Sequence, residues 1–257
     1  MNTLMLKNSD VAKLLDIDDI VTSVEGAYRD FNSGLVVQPD ILTIYEPGTE
    51  KGYDFKVGLN LGAGYFSMKS SSSGYDGNTA IGLPTGLNML YLYDAKTSAL
   101  KCVMEGSYIR NLRTAAAAAI AIKYLSRKDA HSYFAYGAGR IGHDALRITA
   151  RLRDIKDVYV FGYMDGEIER YIADMSAEFP EMTFHACATP EEGARNADII
   201  VTVTLARKGP VIRKEWLKPG THISAVGADE PDKQEIDAGI FANAKVVNDS
   251  IAYASRN

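Results

Sequence analysis

The sequence predicts an α/β protein in which a doubly wound parallel sheet, residues 129–257, follows an α+β unit, residues 1–128. Three observations predict it. The hydrophobic periodicity changes character near residue 128. Beyond that point, short apolar runs begin near His131, Val158, Thr183, Asp198, His222 and Lys245 and alternate with helical patterns such as Ile141–Leu152 and Glu167–Glu178. Six strands with crossovers argue for a parallel sheet covered on both faces. Finally, a glycine-rich turn lies between the first of these runs and the first of these helices.

In the first part, Ile20, Val21, Val24, Ala27, Tyr28 and Phe31 form a helical stripe over Asp19–Phe31, and Gly34 sits where a helix stops. Four β-prone runs follow, Ile41–Tyr45, Phe55–Leu61, Leu87–Tyr93 and Leu100–Met104, separated by Gly, Asn, Asp and Ser clusters. Tyr65-Phe66-Ser67-Met68 leads into Lys69 as a further short strand, and Ser70–Gly74 reads as a flexible polar tract. A helix over roughly Tyr108–Ser126 carries Arg113-Thr114 and then five alanines, which permit close packing on both of its sides.

Composition narrows the classes of function. Over 257 residues, 33 acids against 28 bases leave a net charge of −5, without the basic excess of a generic nucleic-acid or membrane-surface binder. The longest small-apolar stretch, Ala115–Ile122, falls far short of a bilayer span, and Met1 leads into no signal segment. Cys102 and Cys187 make no disulfide framework. His131, His143, His185 and His222 are dispersed, so no metal is expected. A reduced, cytoplasmic protein is the expectation.

The glycine turn carries the chemistry. His131–Tyr136 runs straight into Gly137-Ala138-Gly139-Arg140-Ile141-Gly142, followed by a helix with apolar Ala145, Leu146 and Ile148. In a Rossmann-like unit the first glycine makes the tight turn, the second admits a pyrophosphate close to the backbone, and the third lets helix and strand approach. N–H groups at the helix start then face the anion. The strand-then-helix context supports dinucleotide binding. Asp165, just after Val158–Phe161, is the candidate acid for the ribose hydroxyls, or else simply the cap of the next helix. With no Arg or Lys between Asp157 and Glu169, NAD is expected and NADP stays open. Thr202 and Thr204 alternate at the end of the fourth run, where they would line the nicotinamide ribose. Arg113 lies early in its helix, against the dipole preference, and Asp229 lies beyond a strand's carboxyl end; both are candidate site residues.

Several tracts together resemble the ornithine cyclodeaminase/mu-crystallin family. They are Gly82-Leu83-Pro84-Thr85, Arg113-Thr114-Ala115-Ala116, Ala197-Asp198-Ile199-Ile200-Val201-Thr202-Val203-Thr204, Trp216-Leu217-Lys218-Pro219-Gly220-Thr221-His222 and Gly227-Ala228-Asp229-Glu230-Pro231-Asp232-Lys233-Gln234-Glu235. The resemblance implies a homodimeric enzyme using NAD or NADP on amino acids and cyclic imines, with the first unit binding substrate and forming the dimer. It implies Lys69 as a substrate-site lysine, Arg113 as a contact to substrate carboxylate and cofactor, and Thr85 as a cofactor contact. It further implies Asp229 as the catalytic acid/base and Lys233 as a cofactor-side lysine. The reaction would be that of a cyclodeaminase, a ketimine reductase or an amino-acid dehydrogenase. A second reading is a non-catalytic, crystallin-like dinucleotide-binding protein or an inactive fragment.

Two departures bear on the substrate and the site. The family places an arginine shortly after the Gln38-Pro39 segment, where this chain has Ile41 and no Arg or Lys from Asp30 to Glu50. Poor use of ornithine is therefore expected. Family chains also extend past three hundred residues, their C-terminal segment completing the first unit, so the expectation is that this segment is missing after Asn257.

Overall fold

The structure, a computed structural model, describes residues 2–228 and 232–250. Contacts divide the chain into two units, Met1–Arg113 and Thr114–Asn257. The division falls inside a helix, earlier than the expected 128/129. The reason is chemical: the C-terminal half of that helix belongs to the second unit. Its Ala118 carbonyl accepts from Ser224 Oγ, and its Ile122 and Lys123 carbonyls accept from the Arg153 guanidinium.

The first unit opens with β1 (Leu4–Leu6), α1 (Asn8–Leu14) and α2 (Ile17–Asn32). Asp16 caps α2 by accepting from the Asp18 N–H at 2.8 Å, and Gly34, at φ +73°, turns the chain out of it. The strands β2 (Val36–Val37), β3 (Leu42–Tyr45), β4 (Gly52–Asn60), β5 (Tyr65–Ser73), β6 (Asn88–Asp94) and β7 (Leu100–Glu105) follow. They form one sheet in the order β1-β7-β6-β5-β4-β2, with β3 also paired to β4. All its pairings are antiparallel except β1 with β7. The short pieces β1 and α1 were not legible in the sequence. Ser70–Ser73 is a correction: these serines lie inside β5, paired with β4, and Ser70 and Ser71 also pair with β6. Only Gly74, at φ +76°, is the turn.

The helix α3 (Ser107–Leu125) leads into the second unit, and its alanines 115, 116, 118 and 119 are buried as the run of small residues predicts. Then come β8 (Ser132–Tyr136), α4 (Arg140–Leu152), β9 (Asp157–Phe161), α5 (Glu167–Glu178), β10 (Thr183–Ala186), α6 (Pro190–Asn196), β11 (Ile199–Thr202), β12 (His222–Ala225) and α7 (Ala238–Phe241). The sheet runs β10-β9-β8-β11-β12, parallel throughout. Numbered within the unit this is order 3-2-1-4-5, the doubly wound pattern, whose switch point lies between β8 and β11. Its three central strands, β9, β8 and β11, are mostly apolar because both faces are covered: Tyr133, Phe134, Val158, Val160, Ile199 and Ile200 are fully buried. The sixth strand expected at Lys245 is a correction. Among the described residues no strand follows β12, and Val246 and Val247 are exposed, with no partner strand beside them among those residues.

At the base of this unit Asp198 ties β11 to β8. Burial opposes its charge, but Lys218 and the groups of His131 and Ser132 outweigh that and hold its carboxyl well below the usual range. His222 is the opposite case. Burial, helped by Arg153, pushes its pKa down to about 4, and the neutral ring pairs with Ser224 Oγ at 3.0 Å. A histidine depressed in the fold binds its proton in the unfolded chain first, so stability falls as pH drops from about 6.5 toward 4. The full loss is up to about 3 kcal/mol. Chemical denaturation across that window checks this, and His222→Asn is expected to flatten the profile.

Candidate dinucleotide and substrate sites

In the second unit the glycine turn leaves β8 at the switch point, and each glycine has its own reason. Gly137 adopts φ +110°, and a Cβ there would lie 2.4 Å from the Val203 carbonyl oxygen. A Cβ on Gly142 would lie 2.2 Å from the Gly137 carbonyl oxygen, so helix and turn touch through backbone. Gly139 differs: a Cβ there would meet nothing closer than Glu167 Oε1 at 3.9 Å. Gly139 and Arg140 are exposed, Ile141 is half-buried, and α4 begins at Arg140 with no side chain capping it. Its first N–H groups therefore point out over an open backbone face, the arrangement that receives a pyrophosphate. The residues present fit a dinucleotide.

The neighbouring loops separate the remaining candidates. Thr202 is corrected: it is completely buried in β11, in register with Tyr136 and Ala225, and its hydroxyl has no hydrogen-bond partner. β11 ends at Thr202 with core on both of its faces, whereas Thr204 lies in the loop beyond the strand. Thr204 is half-buried, and its N–H and hydroxyl both donate to Glu235 Oε1 at 2.8 Å. Glu235 Oε2 accepts from the Gly227 N–H at 2.8 Å. This buried carboxylate thus clamps the loops after β11 and β12, a role that sequence reasoning missed although it had the residue in hand. Lys233 is half-buried in the same loop, beside Asp232, which pairs with Arg207. Asp165 is exposed in the turn after β9 and does not cap α5, whose cap position is Gly166. Asp229 lies outside the described residues.

In the first unit Lys69 is not a solvated edge lysine. It stands on β5 between β4 and β6, opposite Lys56 and Leu90. Burial above all, then the positive charges of Lys56, Arg113 and Arg110, lowers its pKa to about 8, with Asp54 opposing. Cations gathered around a half-buried lysine are a poor arrangement for stability and a good one for an anion. Lys56 and Arg110 were missed, though both had signals. Lys56 and Lys69 lie symmetrically about the β4–β5 hairpin turn, and Arg110 precedes Arg113 by one helical turn. A groove of about 250 Å³ lies nearby, lined by Ser72, Ser73, Gly74, Pro84, Thr85, Gly86 and Arg110. Thr85 is exposed there.

Strand order, glycine turn and open helix start define the class: a doubly wound dinucleotide-binding fold joined to an α+β unit that bears a cationic site. The chain matches the ornithine cyclodeaminase/mu-crystallin family over residues 1–257 and belongs to that family. It is similar to an archaeal alanine dehydrogenase dimer with bound NAD, at a TM-score of 0.88 and 32% identity, over 96% of this chain and 74% of that one. The iminosuccinate reductase of Paracoccus denitrificans in complex with NAD+ superimposes with a TM-score of 0.91 at 25% identity, over 98% and 77% of the two chains. The Δ1-pyrroline-2-carboxylate reductase of Thermococcus litoralis, in complex with NADH and L-proline, gives 0.84 at 29%, over 91% and 72%. Among the described residues no helix is long and apolar enough to cross a membrane.

Proposed function

We propose that this chain is an NAD-dependent enzyme that transfers hydride at the α-carbon of an amino acid or imine, as an amino-acid dehydrogenase or ketimine reductase. The observation that carries the substrate half is Lys69, held with a lowered pKa among Lys56, Arg113 and Arg110. The similar proteins act on alanine, iminosuccinate or pyrroline-2-carboxylate, as their names state, and all of these carry a carboxylate next to the reacting carbon. The nicotinamide, when bound, supplies or accepts the hydride. Gly139, Arg140 and Ile141 at the start of α4 would hold its pyrophosphate, with Gly137 and Gly142 shaping the turn. Thr85, Arg113, Thr204 and Lys233 are the further candidate contacts. Lys69 and Arg113 would orient the carboxylate, and Asp229, by family resemblance, would move the proton to or from nitrogen. Ile41, half-buried just before β3, supplies no charge where the family has an arginine, which leaves Lys69 and Arg113 to hold the carboxylate.

We further place the protein in the cytoplasm as a homodimer. Supporting this, all four residues of β3, including Leu42, Ile44 and Tyr45, are exposed, as are Val37 and Tyr53. Both cysteines are free and buried.

The test is oxidation of NADH by a panel of cyclic imino acids and of 2-oxo acids with ammonia. Consumption by at least one carboxylated imine is expected, with ornithine a poor substrate. Binding has a pH signature of its own. Lys69 attracts an anion only when protonated, so affinity for a carboxylate is flat below pH 8. Above it, affinity falls about tenfold per pH unit. Affinity unchanged from pH 7.5 to 9.5 would remove Lys69 from the substrate site.

A further inference from the structure

At the carboxyl end of β9, where doubly wound dinucleotide folds carry the acid for the adenosine ribose, this chain has Gly162. The space its side chain would fill is taken. A Cβ on Gly162 would lie 2.4 Å from Glu167 Oε2 and 3.1 Å from Glu167 Cδ. The other oxygen, Oε1, faces the glycine turn, 3.9 Å from where a Cβ on Gly139 would be. One carboxylate thus occupies the space between the end of the second strand and the open face of the turn. It is placed there by the first residue of α5, and Oε2 accepts from the Met164 N–H at 3.4 Å. Asp165, two residues earlier in sequence, is exposed and is not the residue that fills this position.

We propose that Glu167 is the residue that reads the adenosine ribose and sets the choice of NAD(H) over NADP(H). A carboxylate there accepts hydrogen bonds from the 2′- and 3′-hydroxyls. The same charge repels a 2′-phosphate, and no Arg or Lys from Asp157 to Glu169 offsets it. Glu167 comes from the far side of the turn, so the strand-end rule finds only a glycine and passes to Asp165. This assignment rests on the dinucleotide reading of the glycine turn.

The experiment is titration of NADH and NADPH into the wild-type chain and into Glu167→Ala, Glu167→Gln and Asp165→Asn, with thermal melting as the check on folding. The wild type is expected to bind NADH more tightly. Glu167→Ala and Glu167→Gln are expected to shift the NADH-to-NADPH affinity ratio toward NADPH by about ten- to a hundredfold, the scale of one charged hydrogen-bonding group. Asp165→Asn is expected to leave the ratio alone. A double variant, Gly162→Asp with Glu167→Ala, is expected to restore the preference by supplying the acid from the strand end. If Glu167 merely caps its own helix, the variants lower melting temperature or both affinities together and keep the ratio, which overturns the assignment. If the wild type binds NADH with the ratio unmoved in both Glu167 variants, Glu167 alone fails. If it binds neither dinucleotide, the reading of the glycine turn fails with it.

Discussion

Lys69→Met lowers kcat/KM for a carboxylated imine by about a hundred- to a thousandfold while the fold keeps or gains stability. The loss follows from removing one partner of a partly desolvated charge pair, a change of about 2–5 kcal/mol. KM and kcat are both expected to suffer, because the contact exists in the ground state and also aligns the reacting carbon. Stability moves the other way because Lys69 stands among Lys56, Arg113 and Arg110, whose charges oppose its own. Methionine keeps the apolar stem that packs in β5 and removes only the charge. A lysine retained for structure would behave oppositely, its loss lowering melting temperature and sparing turnover. Steady-state kinetics beside a thermal melt separates the two outcomes.

Gly139→Val abolishes measurable dinucleotide affinity, a loss of at least a hundredfold, with the fold intact. The backbone there has φ −80° and ψ −171°, an extended conformation that valine adopts without strain. A Cβ meets no protein atom nearer than Glu167 Oε1 at 3.9 Å, so the new side chain enters the open face that a pyrophosphate would take. Gly142→Ala is the contrast, since its Cβ would collide with the Gly137 carbonyl oxygen at 2.2 Å and cost stability first. Calorimetric titration and melting of both variants test the distinction. Normal NADH binding by Gly139→Val would take the turn out of the site.

Much of this was legible because the second unit obeys strong local rules. Glu167–Glu178 is a helix with the expected bounds, and the glycine turn falls between strand and helix as its spacing requires. The first unit was less legible. Ser70–Ser73 look like a loop by composition, yet all four pair with β4, and Ser70 and Ser71 with β6 as well, so pairing overrides propensity. Val246-Val247 is the reverse case, β-prone residues without a partner strand among the described residues. Thr202 shows the limit of alternation in a sheet covered on both faces, where both sides of the strand are core. The cationic cluster was half visible. Lys69 came from family resemblance and Arg113 from that and its place early in its helix, whereas Lys56 and Arg110 needed the hairpin register and the helical turn that bring charge toward Lys69. Glu235 was invisible as a clamp because its three hydrogen bonds come from loops on either side of β12.

Hydride transfer at the α-carbon leaves an isotopic mark on the product. The chain is incubated with NADH deuterated at the transferring position of the nicotinamide and a carboxylated imine that it turns over. The product is then analysed by mass spectrometry and NMR. Deuterium bound to the α-carbon of the amino-acid product is the predicted result. An unlabelled product, deuterium at any other carbon, or binding of NADH with no transfer to any carboxylated imine would contradict it.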